Sequence, residues 1–415
     1  MIDDKQTSDC TAGRFQVVLE LAEGLQRVGT PPARVESLLT EVAESLGIEG
    51  RYFSLPTAVF ASFRTHGREV TQLVPAPTGG QDLGQLEALR SLATELAVGS
   101  LSVQSAREQL ASLKSAPPPF SSLATVVSFG WSSAMAAVLF GGGWVEAAVA
   151  GVSGLLIGAL HLRGLAWGLS GLLEATSAAI AAFVASLIAS SVGYATELAV
   201  LSALIVLVPG FTIHRGLTNL STGHIMSGSA WMAQAGTVLL LMGFGVAFGG
   251  RIAEVFVGAP SMGVSAEMPP WAASVALVVM TPSLQVLFRA PPRSWLWMMG
   301  SICIAWWGAL FGERALGNEA SAFVGAFLLG VYALLWERIF DRPAALPLAP
   351  GLMVLVPGAV GFQGVAALLG GDPVGAVETG FAALMVATSL VTGLLAANLL
   401  VRRPDRPVGA SLEEA

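Results

Sequence analysis

Val-Leu-Val-Pro-Gly is written twice in this chain, closing at Gly210 and again at Gly358, and a further glycine follows each copy at the same distance, Gly216 and Gly364. Proline lacks the N–H that a helix needs, and its ring collides with the carbonyl one turn back, so a hydrophobic helix stops or kinks there. In an apolar setting the backbone groups this frees are costly unless something polar meets them. A carbonyl end then suits a cation or an ammonium group, and an amide end suits a carboxylate. Two such breaks set close together present both polarities, which is what a small zwitterion such as an amino acid requires. The candidate substrate-binding residues are therefore Pro209, Gly210, Thr212, Arg215 and Asn219 around the first break, and Pro357, Gly358 and Gln363 around the second. His214 and Ser227 are further polar groups beside the first break. Glu378 stands several residues inside an apolar run, where a carboxylate is expensive, and is the first candidate for proton coupling; His224 is the second. Arg215 is the basic residue closest to a break, so a dicarboxylate would depend on it more than a zwitterion would.

The scaffold that must hold these residues is hydrophobic. The chain has 415 residues, of which 54% are hydrophobic and 12% charged, with a mean hydropathy of +0.69; soluble domains carry about 25% charged residues. The charge is uneven, with 14 acids and 10 Lys/Arg in residues 1–116 but only 11 acids and 8 Lys/Arg in residues 117–401. Apolar runs long enough to cross ~30 Å of hydrocarbon fall near 121–140, 143–161, 171–193, 225–250, 270–289, 294–311, 319–337 and 374–401. Two shorter runs, near 197–210 and 347–358, each end in Val-Pro-Gly and complete a pass with the stretch that follows, giving ten. A shift of 148 residues lays the first five passes on the second five. Because five is odd, the second copy is expected to lie inverted, an arrangement that builds many secondary transporters with the site where the repeats meet. The fold class is thus mainly α: a polytopic membrane protein of ten transmembrane helices in two inverted five-helix repeats, with a small α+β N-terminal cytoplasmic domain.

The expected boundaries are a polar tail over 1–13, the cytoplasmic domain over 14–116, the first repeat over 117–265, the second over 266–403 and a polar tail over 404–415. With the N-terminus inside, Lys114, Arg163, Arg215, Arg289, Arg293, Arg338, Arg342, Arg402, Arg403 and Arg406 fall on the inner side and only Arg251 and Arg314 on the outer. This bias follows the positive-inside rule and supports both termini in the cytoplasm; the expected location is a bacterial-type inner membrane. Trp144, Trp231, Trp271, Trp295 and Trp336 lie near segment ends, as an interfacial aromatic belt would. In the N-terminal part, Phe15–Gly29 has helical spacing with Gly29 as a stop, and a second helix follows with Thr30 as its cap and Pro31 in its first turn. Residues 51–74 read as strands turning at Thr65–Arg68, and two more helices precede the proline linker Ser115–Ser122.

Several function classes are excluded or disfavoured. A net charge of −7 lacks the basic footprint that nucleic acid needs. Cys10 and Cys303 fall in different compartments, so neither a disulfide nor a metal set is expected, and no cofactor is implied. His66, at the expected hairpin tip, has no Ser/His/Asp or Cys/His companions, so an enzyme or sensor built on the N-terminal domain is the weaker alternative. Runs such as Ala147–Leu160 and Ala175–Ser186 are rich in small residues and permit close packing of helices; homo-oligomerisation is left open.

The chain resembles the threonine/serine exporters over about residues 15–400. The likeness is carried by "LAEGLQRVGTPPARVESLLTEVAESLG" and "SLPTAVFASF" in the N-terminal part, by "VPGFTIHRGLTNLSTGHIMSG" after the first break, and by "PLAPGLMVLVPGAVGFQGVAALLG" around the second. Thr218-Asn219 stands where the family signature has Arg-Asp, and Gly223-His224 where it has Gly-Asp. The resemblance implies export of threonine and serine from the cytoplasm, driven by protons. Related proteins with the halves on separate chains export succinate, so a dicarboxylate is the alternative substrate. The implied partners are a small-molecule substrate, protons and the lipid bilayer.

Overall fold

The computed structural model describes residues 3–401 apart from 66–67, 76–79, 167, 169–170, 259–262, 264, 267, 356–359, 365–366 and 368–371. The chain is mainly helical, 76%, with one small three-stranded sheet near its N-terminus.

The N-terminal part opens with α1 (Asp3–Arg27) and α2 (Pro32–Ser45). α1 begins within the stretch expected to be a polar tail. Its end is set by Gly29, whose φ of +77° is open to glycine and strained for other residues. Thr30 does not cap α2. Pro31 occupies the cap position and Pro32 the first helical turn, where a missing N–H costs nothing. Three antiparallel strands follow, β1 (Gly50–Leu55), β2 (Ala58–Thr65) and β3 (Arg68–Pro75), in that spatial order. The expected tip residue His66 lies outside the described residues. α3 (Leu83–Ala97) is capped by Asp82, and α4 (Val103–Ser115) by Ser102. Val17, Leu21 and Leu25 of α1, Val35 and Leu39 of α2, Val59 and Ala61 of β2, Leu92 and Leu96 of α3, and Ala106 of α4 form one core.

The rest is a helical bundle: α5 (Ser122–Leu139), α6 (Trp144–Ala166), α7 (Leu173–Ala189), α8 (Thr196–Ala203), α9 (Gly210–Ser221), α10 (Ile225–Val257), α11 (Ala272–Leu287), α12 (Trp295–Leu316), α13 (Asn318–Phe340), α14 (Ala345–Val354) and α15 (Pro373–Val401). Among the described residues, six helices are long and apolar enough to cross a membrane: α5, α6, α10, α12 with the 3₁₀ turn before it, α13 and α15. α7 and α11, expected as full spans, are apolar but have 17 and 16 residues, and α14 has 10. α8 and α9 are separate short helices with Pro209 as the N-cap of α9, so the first Val-Pro-Gly does interrupt a helix. Pro357 and Gly358 lie outside the described residues; residues 360–364 beyond them are helical.

Moving the bounds of α5, α6, α7, α8 and α10 along the chain by 148 residues brings them close to α11, α12, α13, α14 and α15. The indole Nε1 of Trp131 in α5 donates at 3.1 Å to the carbonyl of Val279 in α11, which is its counterpart 148 residues on. At the bundle end farthest from the sheet, Glu146 at the start of α6 accepts from Gly143 N at 2.9 Å, Ala195 N at 3.0 Å and Ser265 Oγ at 2.9 Å. One buried carboxylate thus ties the α5–α6 turn, the start of α8 and the approach to α11. Two tryptophans expected in an interfacial belt are buried instead: Trp336 packs against Trp297 and Phe340, and Trp231 faces α9. Gln234, on α10, is exposed.

Close packing of α7 on α10 depends on glycine. A methyl group added at Gly249 would fall on the backbone of Ala179, and one at Gly245 on the carbonyl of Ala175, whereas Gly250 has open space. Gly249→Ala should therefore cost about 1–3 kcal/mol of stability by overpacking, and Gly250→Ala should be neutral or gain about 0.5–1 kcal/mol of helix propensity. Thermal unfolding of the two variants in the same lipid or detergent should separate them; equal midpoints would contradict this packing.

Candidate functional site

The N-terminal part sits on the bundle through charge and backbone. At the start of α3, the Asp82 side chain accepts the N–H of Gln85 as a cap and also pairs with Arg289 at 3.4 Å. Leu83 N donates to Phe288 O at 3.0 Å and Gly84 N to Arg289 O at 3.2 Å. The Leu83 side chain enters a core with Leu277, Met280 and Leu284 of α11 and Leu346 of α14. One turn on, Glu87 pairs with Arg293 at 2.9 Å and Arg342 at 3.3 Å, and Arg90 with Glu337 at 2.6 Å. Glu337 also lies 3.7 Å from Arg34 of α2. On the other side, Glu36 faces His224 at 3.8 Å, and Ser227 Oγ donates to Ser54 O at 3.3 Å. Exposed pairs contribute little singly, but Glu87 is 9% exposed and serves two arginines, so it is the one whose loss matters most.

Between the two parts lies a chamber of ≈ 130 Å³. Its floor comes from α9 (Phe211, His214, Arg215, Thr218, Asn219) and Trp231 of α10; one wall is α14 (Ala345, Leu348, Ala349), and the roof is residues 28–32 with Gln26, Pro56, Gln81, Leu83 and Leu86. The helix that follows the first break thus meets the helix that precedes the second. The volume is well below the ~300–1,000 Å³ of sites for drug-sized ligands and suits a small solute.

Arg215 is the only charged side chain among the described residues of this lining. Its guanidinium carbon stands 4.5 Å from the Phe211 ring centre and 5.6 Å from that of Trp231, so two aromatic faces of the bundle hold it. Its Nη2 donates to Gly29 O at 2.5 Å. A methyl at Gly29 would meet the guanidinium nitrogens at 2.7 and 2.8 Å, a second reason beside its φ for glycine there. Five buried polar atoms of the lining have no partner among the described residues: Thr30 Oγ1, both amide atoms of Gln81, His214 Nδ1 and Thr218 Oγ1. Buried polar groups are ordinarily paired, so a chamber that gathers five orphans beside a guanidinium has the chemistry of a polar binding site.

The structure brings some of the sequence candidates together and separates others. Arg215 and Asn219 line the chamber. Pro209 and Gly210 are buried at the start of α9 and aim it, while Thr212 lies on the helix without lining the chamber. Gln363 is exposed, and its neighbours Gly361 and Gly364 line a separate, apolar groove with Ile213, Met232 and Gly380. Glu378 is exposed on α15, with no hydrogen bond or ion pair among the described residues. His224 occupies the N-cap position of α10 without a side-chain capping bond and faces Glu36 of α2. Thr30, Gln81 and Thr218 were not legible as site residues, because nothing local marks a hydroxyl or amide that only a distant packing contact buries.

Fold and sequence together define a multi-pass helical membrane protein, with a small chamber between its N-terminal part and its bundle. A family model described as "Putative threonine/serine exporter" matches residues 16–253, and one described as "Threonine/Serine exporter, ThrE" matches residues 273–400. The chain belongs to the threonine/serine exporter family. It is also similar to pheromone-regulated membrane protein 10 of Pichia sorbitophila, 24% identical over 365 residues that cover 84% of this chain and 36% of the relative. The protein of that name from Saccharomyces cerevisiae is 24% identical over 426 residues, covering 94% and 54%. The chain thus spans only 36% and 54% of the length of these two relatives. No solved structure matches it.

Replacing Glu87 by Gln should weaken docking of α3 on the bundle. With the arginines partly screened by solvent, the expected cost is about 1–2 kcal/mol, which is roughly 5- to 30-fold in an opening equilibrium. Amide exchange at Leu83 and Gly84 in the full chain should accelerate accordingly; unchanged exchange would contradict the part assigned to Glu87.

Proposed function

We propose that the protein is a secondary exporter of small hydroxy amino acids, threonine and serine foremost, coupled to the proton gradient, with the chamber as its substrate site. The observation that carries this reading is the meeting of α9, which begins at the first Val-Pro-Gly, with α14, which leads into the second, around a guanidinium and unpaired polar atoms. Family membership supplies the transport class.

An inverted pair of five-pass repeats is the architecture that we infer. In its favour, the turn after α5 lies beside the approach to α11: a methyl at Gly143 would meet Ala266 O at 3.0 Å. Repeat mates α5 and α11 therefore run in opposite directions, joined by the Trp131–Val279 bond. The broken pair α8–α9 starts at the Glu146 cluster and ends at His224 beside Glu36, so it crosses the full bundle. α14, the mate of α8, starts at the opposite end, beside Leu83. The arginines at 215, 289, 293 and 342 gather on the face that carries the N-terminal part, which favours the cytoplasm for that face.

Within the chamber, Arg215 meets a carboxylate, and the hydroxyl and amide groups of Thr30, Thr218 and Gln81 meet the substrate's ammonium and hydroxyl. A zwitterion and a dicarboxylate would both reach Arg215, so its loss does not separate them as the sequence alone suggested. A dicarboxylate has no second fixed cation among the described lining, which favours the amino acid. Glu378 and His224 are the proton-coupling groups we propose, Glu378 first because it is carried on a spanning helix.

Proteoliposomes holding the full chain should move threonine and serine faster when a pH gradient is imposed. Arg215→Gln should raise the KM for threonine by the worth of one charge-assisted hydrogen bond, about 1.5–3 kcal/mol, roughly 10- to 150-fold. Flux indifferent to the gradient would remove the coupling, and an unchanged KM would remove Arg215 from the site.

A further inference from the structure

The guanidinium of Arg215 carries five N–H donors, yet among the described residues the Gly29 carbonyl is its one hydrogen-bond acceptor. The rings of Phe211 and Trp231 belong to the bundle and keep it in place whatever the N-terminal part does. The acceptor belongs to the other body: Gly29 is the left-handed residue that ends α1 and leads into α2. That same stretch lines the chamber on the side of the N-terminal part, so a solute that passes on this side must displace it. A neutral peptide carbonyl fills one donor of the fork. A carboxylate fills two in parallel and forms charge-assisted bonds about twice as strong.

We propose that the carboxylate of a small solute and the Gly29 carbonyl compete for Arg215, so that capture of the solute unlatches the N-terminal part from the bundle. The idea rests on the chamber being the substrate site. The closed arrangement is then an unloaded state in which the chain supplies its own substitute for the substrate's acceptor. Arg215 acts both as the reader of the carboxylate and as the latch, which makes the roof responsive to substrate rather than a fixed lid. The ion pairs at Asp82, Glu87 and Glu337 lie outside the chamber and limit how far the unlatched roof separates.

The test uses the full chain in lipid nanodiscs, with binding read by calorimetry and docking by amide exchange at Leu83 and Gly84, whose N–H groups bond to the bundle. The probes are L-threonine and L-threoninol, which lacks the carboxylate. Threonine should accelerate exchange at both amides by about 5- to 150-fold, the usual span of coupling between two sites, and threoninol should not. Arg215→Gln should abolish the threonine response, and Arg215→Lys, which keeps the charge, should retain part of it. Gly29→Ala should show fast exchange with no solute present. Threonine that binds while exchange stays the same or slows would overturn the latch and leave the chamber standing as the site. No heat of binding for threonine, serine or succinate would overturn the chamber and the latch with it.

Discussion

A guanidinium held against two aromatic rings in a small, largely apolar chamber needs acceptors, and the arrangement of this protein follows from how that need is met. Arg215 lies in the second turn of α9, the helix that begins at the first break, and lines the chamber with residues 28–32 of the N-terminal part. The bundle supplies ring faces and a loop of the other body supplies the carbonyl. Gly29 is constrained from both sides, by a backbone conformation that side chains resist and by the guanidinium that would strike a methyl group. A single contact thereby couples the end of α1, the start of α2 and the helix after the first break.

Around this contact the two bodies are complementary in charge. The acids that face the bundle lie on α2 and α3, and the arginines that face α3 lie at the ends of α11, before α12 and after α13. Each pair alone is worth little in water. Together with two backbone bonds and the buried Leu83 they set the register of α3 on the bundle, and so the shape of the chamber roof. The opposite end of the bundle is organised differently, by a single buried carboxylate, Glu146, that satisfies two backbone amides and a serine hydroxyl. One end is thus held by pairs that water can compete for, the other by a closed network.

Much of the architecture was legible because it is local. Hydrophobic runs and Gly/Pro punctuation placed most helices to within a few residues, and the repeated Val-Pro-Gly marked the interruption between α8 and α9. Local rules failed where two local signals competed: Thr30 has a good capping side chain, but two prolines after it shift the helix start by one residue. They failed again where the third dimension decides. Trp231 and Trp336 sit near segment ends, as belt residues do, yet face inward. Of the site, Arg215 and Asn219 were visible from their nearness to the break. Gln81 and Thr30 were not, since 134 residues or more separate them from Arg215 and no spacing rule reaches that far. Glu378 drew attention as a carboxylate in an apolar run, but burial is a property of the packed bundle, and its side chain is exposed.

The central claim is that a small solute binds where α9 and α14 meet, on Arg215. A high-resolution map of the full chain in a nanodisc, prepared with saturating L-threonine, examines it directly. The account predicts density for the amino acid with its carboxylate on the Arg215 guanidinium, between Phe211 and Leu348. Density in the apolar groove beside Ile213 and Gly364 instead, with the chamber unchanged, would contradict it.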